Sequence, residues 1–216
     1  MMKEKMEDIF LEDINNIAGE LKEFYSEIEG KTILIAGGRG FLGTYFTNVL
    51  SKINETLSIP MKIIVLDSLI TSKDKENSND PNIEFLEQDI SKIFEIKDDV
   101  HYIIHAASIA SPPTYRKFPI KTIDVNYQGT RNLLEIAKNK KIKSMLLLSS
   151  SEIYGDPDII PTPESYVGKV SCIGPRACYD ESKRLAETIS ILYHQQYNVP
   201  IKIARPFNVY GPYLNL

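Results

Sequence analysis

Between the apolar run Thr32–Ala36 and an amphipathic stretch that starts at Phe41 lies Gly37-Gly38-Arg39-Gly40-Phe41-Leu42-Gly43. Of the whole chain, this stretch restricts the fold most. Glycines at 37, 40 and 43 permit a tight strand-to-helix turn, a close approach of backbone to an anion, and close packing of helix on strand. The helix that follows offers unpaired N–H groups and the positive end of its dipole to phosphates.

The rest of the chain repeats the same strand-then-helix rhythm. Short apolar runs at Lys62–Leu66, Ile83–Leu86, Tyr102–His105, Ser144–Ser149 and Ile201–Ala204 read as strands, and Phe41–Ile53, Lys121–Lys138 and Ala177–Tyr197 read as helices. Strands separated by helices make an α/β fold with a doubly wound parallel sheet, the Rossmann arrangement that binds dinucleotides. Upstream, Ile14, Ile17, Leu21, Phe24 and Ile28 recur at helical spacing, and Gly30 ends the run. Residues 1–30 are therefore expected to be a helical extension and 31–216 the dinucleotide-binding domain. Thr71–Pro81 reads as a solvated loop, and Gly155–Pro175, rich in proline and glycine, falls where active-site loops of such folds sit.

A hydrophobic content of 43% and a charged content of 25% suit a globular domain, and the net charge of -4 supplies no basic field for nucleic acid. No apolar run approaches the roughly 18 residues of a membrane span. The two cysteines, Cys172 and Cys178, have no Cys or His cluster around them, which fits a reducing cytoplasm and gives neither a disulfide framework nor a metal site. His101, His105 and His194 likewise read as structural.

Asp67, at the end of the second strand, is placed to accept hydrogen bonds from the adenosine ribose and to repel a 2′-phosphate, which favours NAD over NADP. Asp89, after the third strand, is a candidate adenine contact. Tyr179 and Lys183 are four residues apart at a helix start, so both lie on one face, where the ammonium is expected to lower the phenol's pKa and prepare it as a base. Ser150 supplies a hydroxyl for the same substrate oxygen, and Glu152 a carboxylate beside it.

Three stretches carry a family resemblance: Ala107-Ser108-Ile109-Ala110-Ser111-Pro112-Pro113-Thr114-Tyr115, Ser150-Ser151-Glu152-Ile153-Tyr154-Gly155-Asp156-Pro157 and Gly174-Pro175-Arg176-Ala177-Cys178-Tyr179-Asp180-Glu181-Ser182-Lys183-Arg184. With Arg205–Pro212 they resemble the extended short-chain dehydrogenase/reductases that act on nucleotide sugars, and among these the UDP-glucuronate decarboxylases. The resemblance implies bound NAD, a UDP-sugar substrate and a homodimer built on the two long helices. It implies further cofactor contacts at Ile90, Ala106, Ser108 and Val209, and substrate contacts at Asn132, Lys138 and Asn208. In the reaction it implies, Tyr179 takes the proton of the sugar 4-hydroxyl while C4 gives hydride to NAD, Ser150 polarises the oxygen and Glu152 positions the sugar. The resulting β-keto acid loses carbon dioxide, and reduction of the ketone leaves UDP-xylose.

Two departures matter. Sugar 4,6-dehydratases carry an acid where this chain has Ser151, which argues against dehydration. The decarboxylases carry a lysine where this chain has Asp124. Relatives also continue into a lobe that holds the nucleotide, which is expected to be largely absent from a chain ending at Leu216. A UDP- or dTDP-sugar 4-epimerase or 4,6-dehydratase, and an inactive NAD-binding fragment or assembly subunit, are the alternative readings.

Overall fold

The computed structural model describes residues 2–71 and 80–214, without the side chains of Met2 and Lys3. Most of the stretch read as a solvated loop, residues 72–79, lies outside the described residues. Six parallel strands, β1 (Thr32–Ala36), β2 (Lys62–Asp67), β3 (Ile83–Glu87), β4 (Tyr102–His105), β5 (Ser144–Leu148) and β6 (Ile201–Ala204), form one sheet in the order β3-β2-β1-β4-β5-β6. The expected fold is the observed one, and strand limits differ by a single residue. Leu34, Ile35 and Ala36 of β1 and Ile63, Ile64 and Leu66 of β2 are almost wholly buried, because helices cover both faces.

On one face, Leu34, Ile64, Ile103 and Met145 pack with Leu133, Leu134 and Ala137 of helix α6 (Thr130–Lys140). On the other, Ile33, Ile35, Ile63 and Val65 pack with Val49, Leu50 and Ile53 of α3 (Phe41–Asn54) and with Phe10, Ile14 and Ala18 of α1 (Met2–Glu20). Helix α7 (Ala177–Tyr197) lies beside α6. The order reverses between β1 and β4, so their carboxyl ends diverge and leave a crevice. Among the described residues no helix is long and apolar enough to cross a membrane.

Two helical expectations need correction. The N-terminal run is not one helix: α1 stops at Glu20, a 3-10 turn occupies Lys22–Phe24, and α2 spans Tyr25–Ile28. There the Tyr25 hydroxyl donates to the Ala18 carbonyl at 2.7 Å, taking up an acceptor that a continuing helix would have paired. The buried stripe is Phe10, Ile14 and Ala18, whereas Ile17 and Phe24 face outward. The run at 121–138 divides into α5 (Pro119–Asp124), a π-helical turn at Val125–Gly129 and α6. Side-chain bonds compete with the helical ladder at that turn: the Thr130 hydroxyl donates to the Asn126 carbonyl at 2.5 Å. A further helix, α4 (Pro112–Lys117), carries its two prolines in the first turn, where a missing N–H costs no helical bond.

Phe10 meets Tyr45 and Tyr213 edge-on at 4.9 and 4.7 Å. Replacing Phe10 by Ala is expected to cost about 3 kcal/mol in urea unfolding. Phe24→Ala, at an exposed position, should stay within about 0.5 kcal/mol of the parent. Equal losses would restore the continuous-helix stripe.

Candidate active site

The crevice is built on backbone contact. Gly37 has φ +79°, and a Cβ there would lie 2.5 Å from the Ala107 backbone at the end of β4. A Cβ on Gly43 would lie 2.0 Å from the Gly37 carbonyl oxygen. Only glycine lets α3 come this close to β1. Gly40 is extended at the N-cap and no side chain caps the helix, so the first-turn N–H groups at Phe41, Leu42 and Gly43 are left for a ligand.

Asp67 forms one edge of the crevice, its two oxygens accepting the Arg39 and Leu69 N–H groups at 3.0 and 2.8 Å. A carboxylate has about four acceptor positions, so it can still take ribose hydroxyls while these bonds hold its orientation. Ile90, Ala106 and Ser108 line the opposite wall. Asp89 also lines it, but is paired with Lys121 and accepts from the Ser91 hydroxyl at 2.7 Å. Burial works against its ionisation, but Lys121 and Ser91 outweigh it and hold the carboxyl below its ordinary range. Lys121 is a residue that sequence reasoning missed at this wall. A glycine cradle, an uncapped helix start and a carboxylate at the end of β2 fit the pyrophosphate and adenosine of NAD.

Beyond β5 the chain turns through Ser150 into a 3-10 turn at Ser151–Tyr154, with the Ser150 oxygen accepting the Glu152 N–H at 3.2 Å. That leaves the Ser150 hydrogen free to donate. Tyr179 and Lys183 project from the first turns of α7 and are 7% and 5% exposed. Lys183 donates to the Leu148 carbonyl at 2.8 Å, with its ammonium 5.8 Å from the centre of the Tyr179 ring. Tyr115 stacks on the ring's flank, centroids 5.4 Å apart.

Burial dominates the electrostatics. It lowers Lys183 to about 8, against a small opposing effect of Glu187. It also raises the Tyr179 phenol above its ordinary value, although the Ser150 and Ser108 hydroxyls pull the other way. The expected lowering of the phenol is therefore not what this structure has: burial of the phenolate, joined by the Asp180 charge, raises it. Close by, fully buried His105 bonds Thr130 at 2.9 Å and is pushed down to about 3 by burial and by the Lys183 charge, so it is neutral.

Residues 33–215 match the NAD dependent epimerase/dehydratase family. The chain belongs to this family. It is 37% identical over 227 residues to UDP-glucuronic acid decarboxylase 1 of Xenopus tropicalis, covering 100% of this chain and 52% of the relative. It is 44% identical over 187 residues to UDP-glucuronic acid decarboxylase 5 of Arabidopsis thaliana, covering 85% and 52%. Among solved structures, the epimerase Mth375 of Methanothermobacter thermautotrophicus superimposes with a TM-score of 0.74 at 28% identity, over 89% of this chain and 58% of that one. The chain thus spans about half the length of the curated relatives it matches. NAD is the cofactor of this epimerase/dehydratase chain.

The remaining residues singled out in the sequence have partners of their own or face solvent. Asn132 spends both amide hydrogens on the Ile90 and Lys92 carbonyls, at 2.7 and 2.8 Å, and its oxygen on Gln128 at 2.9 Å, so it ties α6 to the loop after β3. Lys138 pairs with Glu135 and lies over Tyr197 at 4.9 Å. Tyr197 is at the far end of α7, roughly 27 Å from Tyr179 at 1.5 Å per residue. The structure therefore does not bring Lys138 to the catalytic group. Asn208 and Val209 are exposed. Glu152 is paired with Arg176.

A buried chain of bonds also went unread: Ser108 donates to Asn126 at 2.8 Å, Asn126 to Ser182 at 2.9 Å, and Ser182 to the Cys178 carbonyl at 2.5 Å. Its sequence signal is a polar Asn126 on a helix face that is otherwise core.

Two outcomes are expected of this site. Gly43→Ala should abolish NAD binding by calorimetry while the far-ultraviolet circular dichroism stays native, and retained affinity would contradict the close approach. Lys183→Met tests the buried ammonium. A lysine lowered from 10.5 to about 8 on folding penalises the native state below pH 8, and the penalty disappears as pH rises to 10.5. The variant's stability advantage over the parent at pH 7 should accordingly shrink by up to about 3 kcal/mol across that window. A pH-independent difference would show that the ammonium is solvated.

Proposed function

We propose that this protein acts on a UDP-sugar as a decarboxylase, converting UDP-glucuronate to UDP-xylose through a 4-keto sugar. The observation that carries this reading is the convergence of Ser150, Tyr179 and Lys183 beside the NAD crevice, with Ser151 where a dehydratase would need an acid. NAD, when bound, supplies the redox chemistry, taking two electrons from the sugar at C4 and later giving them back.

The roles of the side chains follow from their surroundings. The Tyr179 phenol, held by Tyr115 and turned toward Ser150 and Ser108, takes the proton of the sugar 4-hydroxyl and returns it at the end. Ser150, whose oxygen already accepts from Glu152 N–H, donates to the same sugar oxygen. Lys183, fixed on Leu148, stabilises the phenolate as it forms. Glu152 positions the sugar, and Asn208 contacts it. Ser108, Ile90, Ala106 and Val209 line the cofactor. Once C4 is a ketone, the C5 carboxylate is a β-keto acid and leaves as carbon dioxide by the substrate's own chemistry. Overall, UDP-glucuronate and one proton become UDP-xylose and carbon dioxide, with no net change in NAD.

We further read residues 1–30 as an extension to a cytoplasmic NAD-binding domain. The exposed apolar side chains Ile120 on α5 and Leu185 and Leu192 on α7 support a homodimer through these helices.

Incubation of the chain with NAD and UDP-glucuronate labelled in its carboxylate should release labelled carbon dioxide and a UDP-pentose without accumulating NADH. Tyr179→Phe should lower turnover by about 10²–10⁴. Release of no carbon dioxide, or stoichiometric NADH, would sink the proposal; interconversion of UDP-glucose and UDP-galactose would replace it with an epimerase.

A further inference from the structure

The segment that follows β6 is fastened at two places. At its start Arg205 holds Glu187 through two bonds at 3.0 and 2.7 Å and donates to the Tyr154 hydroxyl at 2.9 Å. The Pro206 carbonyl there accepts the Ser151 N–H at 3.0 Å. At its far end Gly211 lies against α3: a Cβ on it would be 3.2 Å from the Tyr45 hydroxyl and 3.5 Å from the Phe41 ring. Two residues on, the Tyr213 ring meets Phe10 of α1 at 4.7 Å, and its hydroxyl donates to Glu7 of the same helix. Tyr213 has φ +67°, a left-handed backbone that is unfavourable for a tyrosine, so its contacts with α1 outweigh that strain.

The same face of α1 grips α3. Phe10, only 5% exposed, meets Tyr45 at 4.9 Å, and Asp13 accepts the Tyr45 hydroxyl at 3.0 Å. Tyr45 in turn meets Phe41, in the first turn of α3, at 5.7 Å. One helix outside the sheet thus touches both the phosphate-facing turn and the segment after β6. That segment leaves β6 at Ala204 and reaches α3, the helix after β1, so it passes the carboxyl ends of β5 and β4. Those strand ends carry Ser150 and the Ala106 and Ser108 wall. Between the two anchors Asn208, Val209 and Tyr210 are exposed, Tyr210 to 90%. A span with so little burial of its own takes its position from its ends.

We propose that α1 clamps this segment, and that Tyr213 is the positioning residue through which α1 sets where Asn208 and Val209 stand at the nicotinamide end of the crevice. The inference rests on the sugar and cofactor contacts proposed above for Asn208 and Val209, and gives the N-terminal extension a part in them. The adenosine and pyrophosphate contacts, made by the glycine turn and Asp67, do not depend on the clamp. Releasing it therefore loosens one end of the cofactor and leaves the other in place.

Calorimetric titration of the full chain with NAD and with ADP-ribose, which lacks the nicotinamide, tests this. The parent should bind NAD more tightly than ADP-ribose. Tyr213→Ala should weaken NAD by about tenfold and leave ADP-ribose within about twofold, whereas Tyr213→Phe, which keeps the ring on Phe10, should retain most of the parent's preference. Phe10→Ala, native by circular dichroism, should repeat the Tyr213→Ala pattern from a position on α1. Tyr213 is an exposed position, so its variants carry the test even where Phe10→Ala does not fold. Equal weakening of both ligands in Tyr213→Ala, or unchanged NAD affinity, would overturn the proposal. So would a folded Phe10→Ala with the parent's preference, or a parent that binds the two ligands equally. The decarboxylase reading survives each of these results, because carbon dioxide release tests it separately.

Discussion

The contact between the Gly37 carbonyl and the missing Cβ of Gly43 fixes the rest of the site. Because α3 can approach β1 this closely, its first turn is aimed across the carboxyl end of the sheet, and Gly37 itself abuts the Ala107 backbone. The two central strands and the phosphate-facing helix are thereby locked into one unit. The catalytic group is hung from the same sheet, since Ser150 follows β5 and Lys183 is tied to the last residue of that strand. Parallel register carries the position of the glycine turn through β4 to β5.

The second constraint is a polar cluster inside an apolar core. Lys183, Tyr179, His105, Asn126 and Ser182 are each nine-tenths buried or more. Burial of this kind is unfavourable unless most donors and acceptors are matched, and the bonds from Ser108 through Asn126 and Ser182 to the Cys178 carbonyl, of Lys183 to Leu148 and of His105 to Thr130 supply that matching. The π-helical turn at Val125–Gly129 is part of the same arrangement, because it presents Asn126 to both neighbours. Low dielectric then acts on both titrating partners, lowering the ammonium and raising the phenol, so the site is poised by desolvation more than by their mutual attraction.

Much of the fold was legible because strand and helix periods differ and because burial on both faces writes the strands as continuous apolar runs. All six strands could be read, as could α3 and α7. The end of the N-terminal helix is not legible, because Leu21 and Phe24 continue the apolar spacing although the helix stops at Glu20. The π-helical turn is not legible in the apolar spacing, because the side-chain bonds that accompany it, Ser108 to Asn126 and Asn126 to Ser182, reach other parts of the chain. At the site, the glycines and Asp67 were recoverable from local spacing, whereas Lys121 at Asp89 and Arg176 at Glu152 pair residues far apart in the chain.

The sequence by itself determined the parallel α/β architecture, the glycine turn, and the Tyr179 and Lys183 pair, because each depends on residues within a few positions of one another. Only the tertiary structure decided which charges Glu152 and Asp89 face, that Asn132 spends its amide on the loop after β3 while Lys138 pairs with Glu135, and that burial raises the phenol. Those outcomes depend on distance and solvent exclusion between segments that the chain order keeps apart.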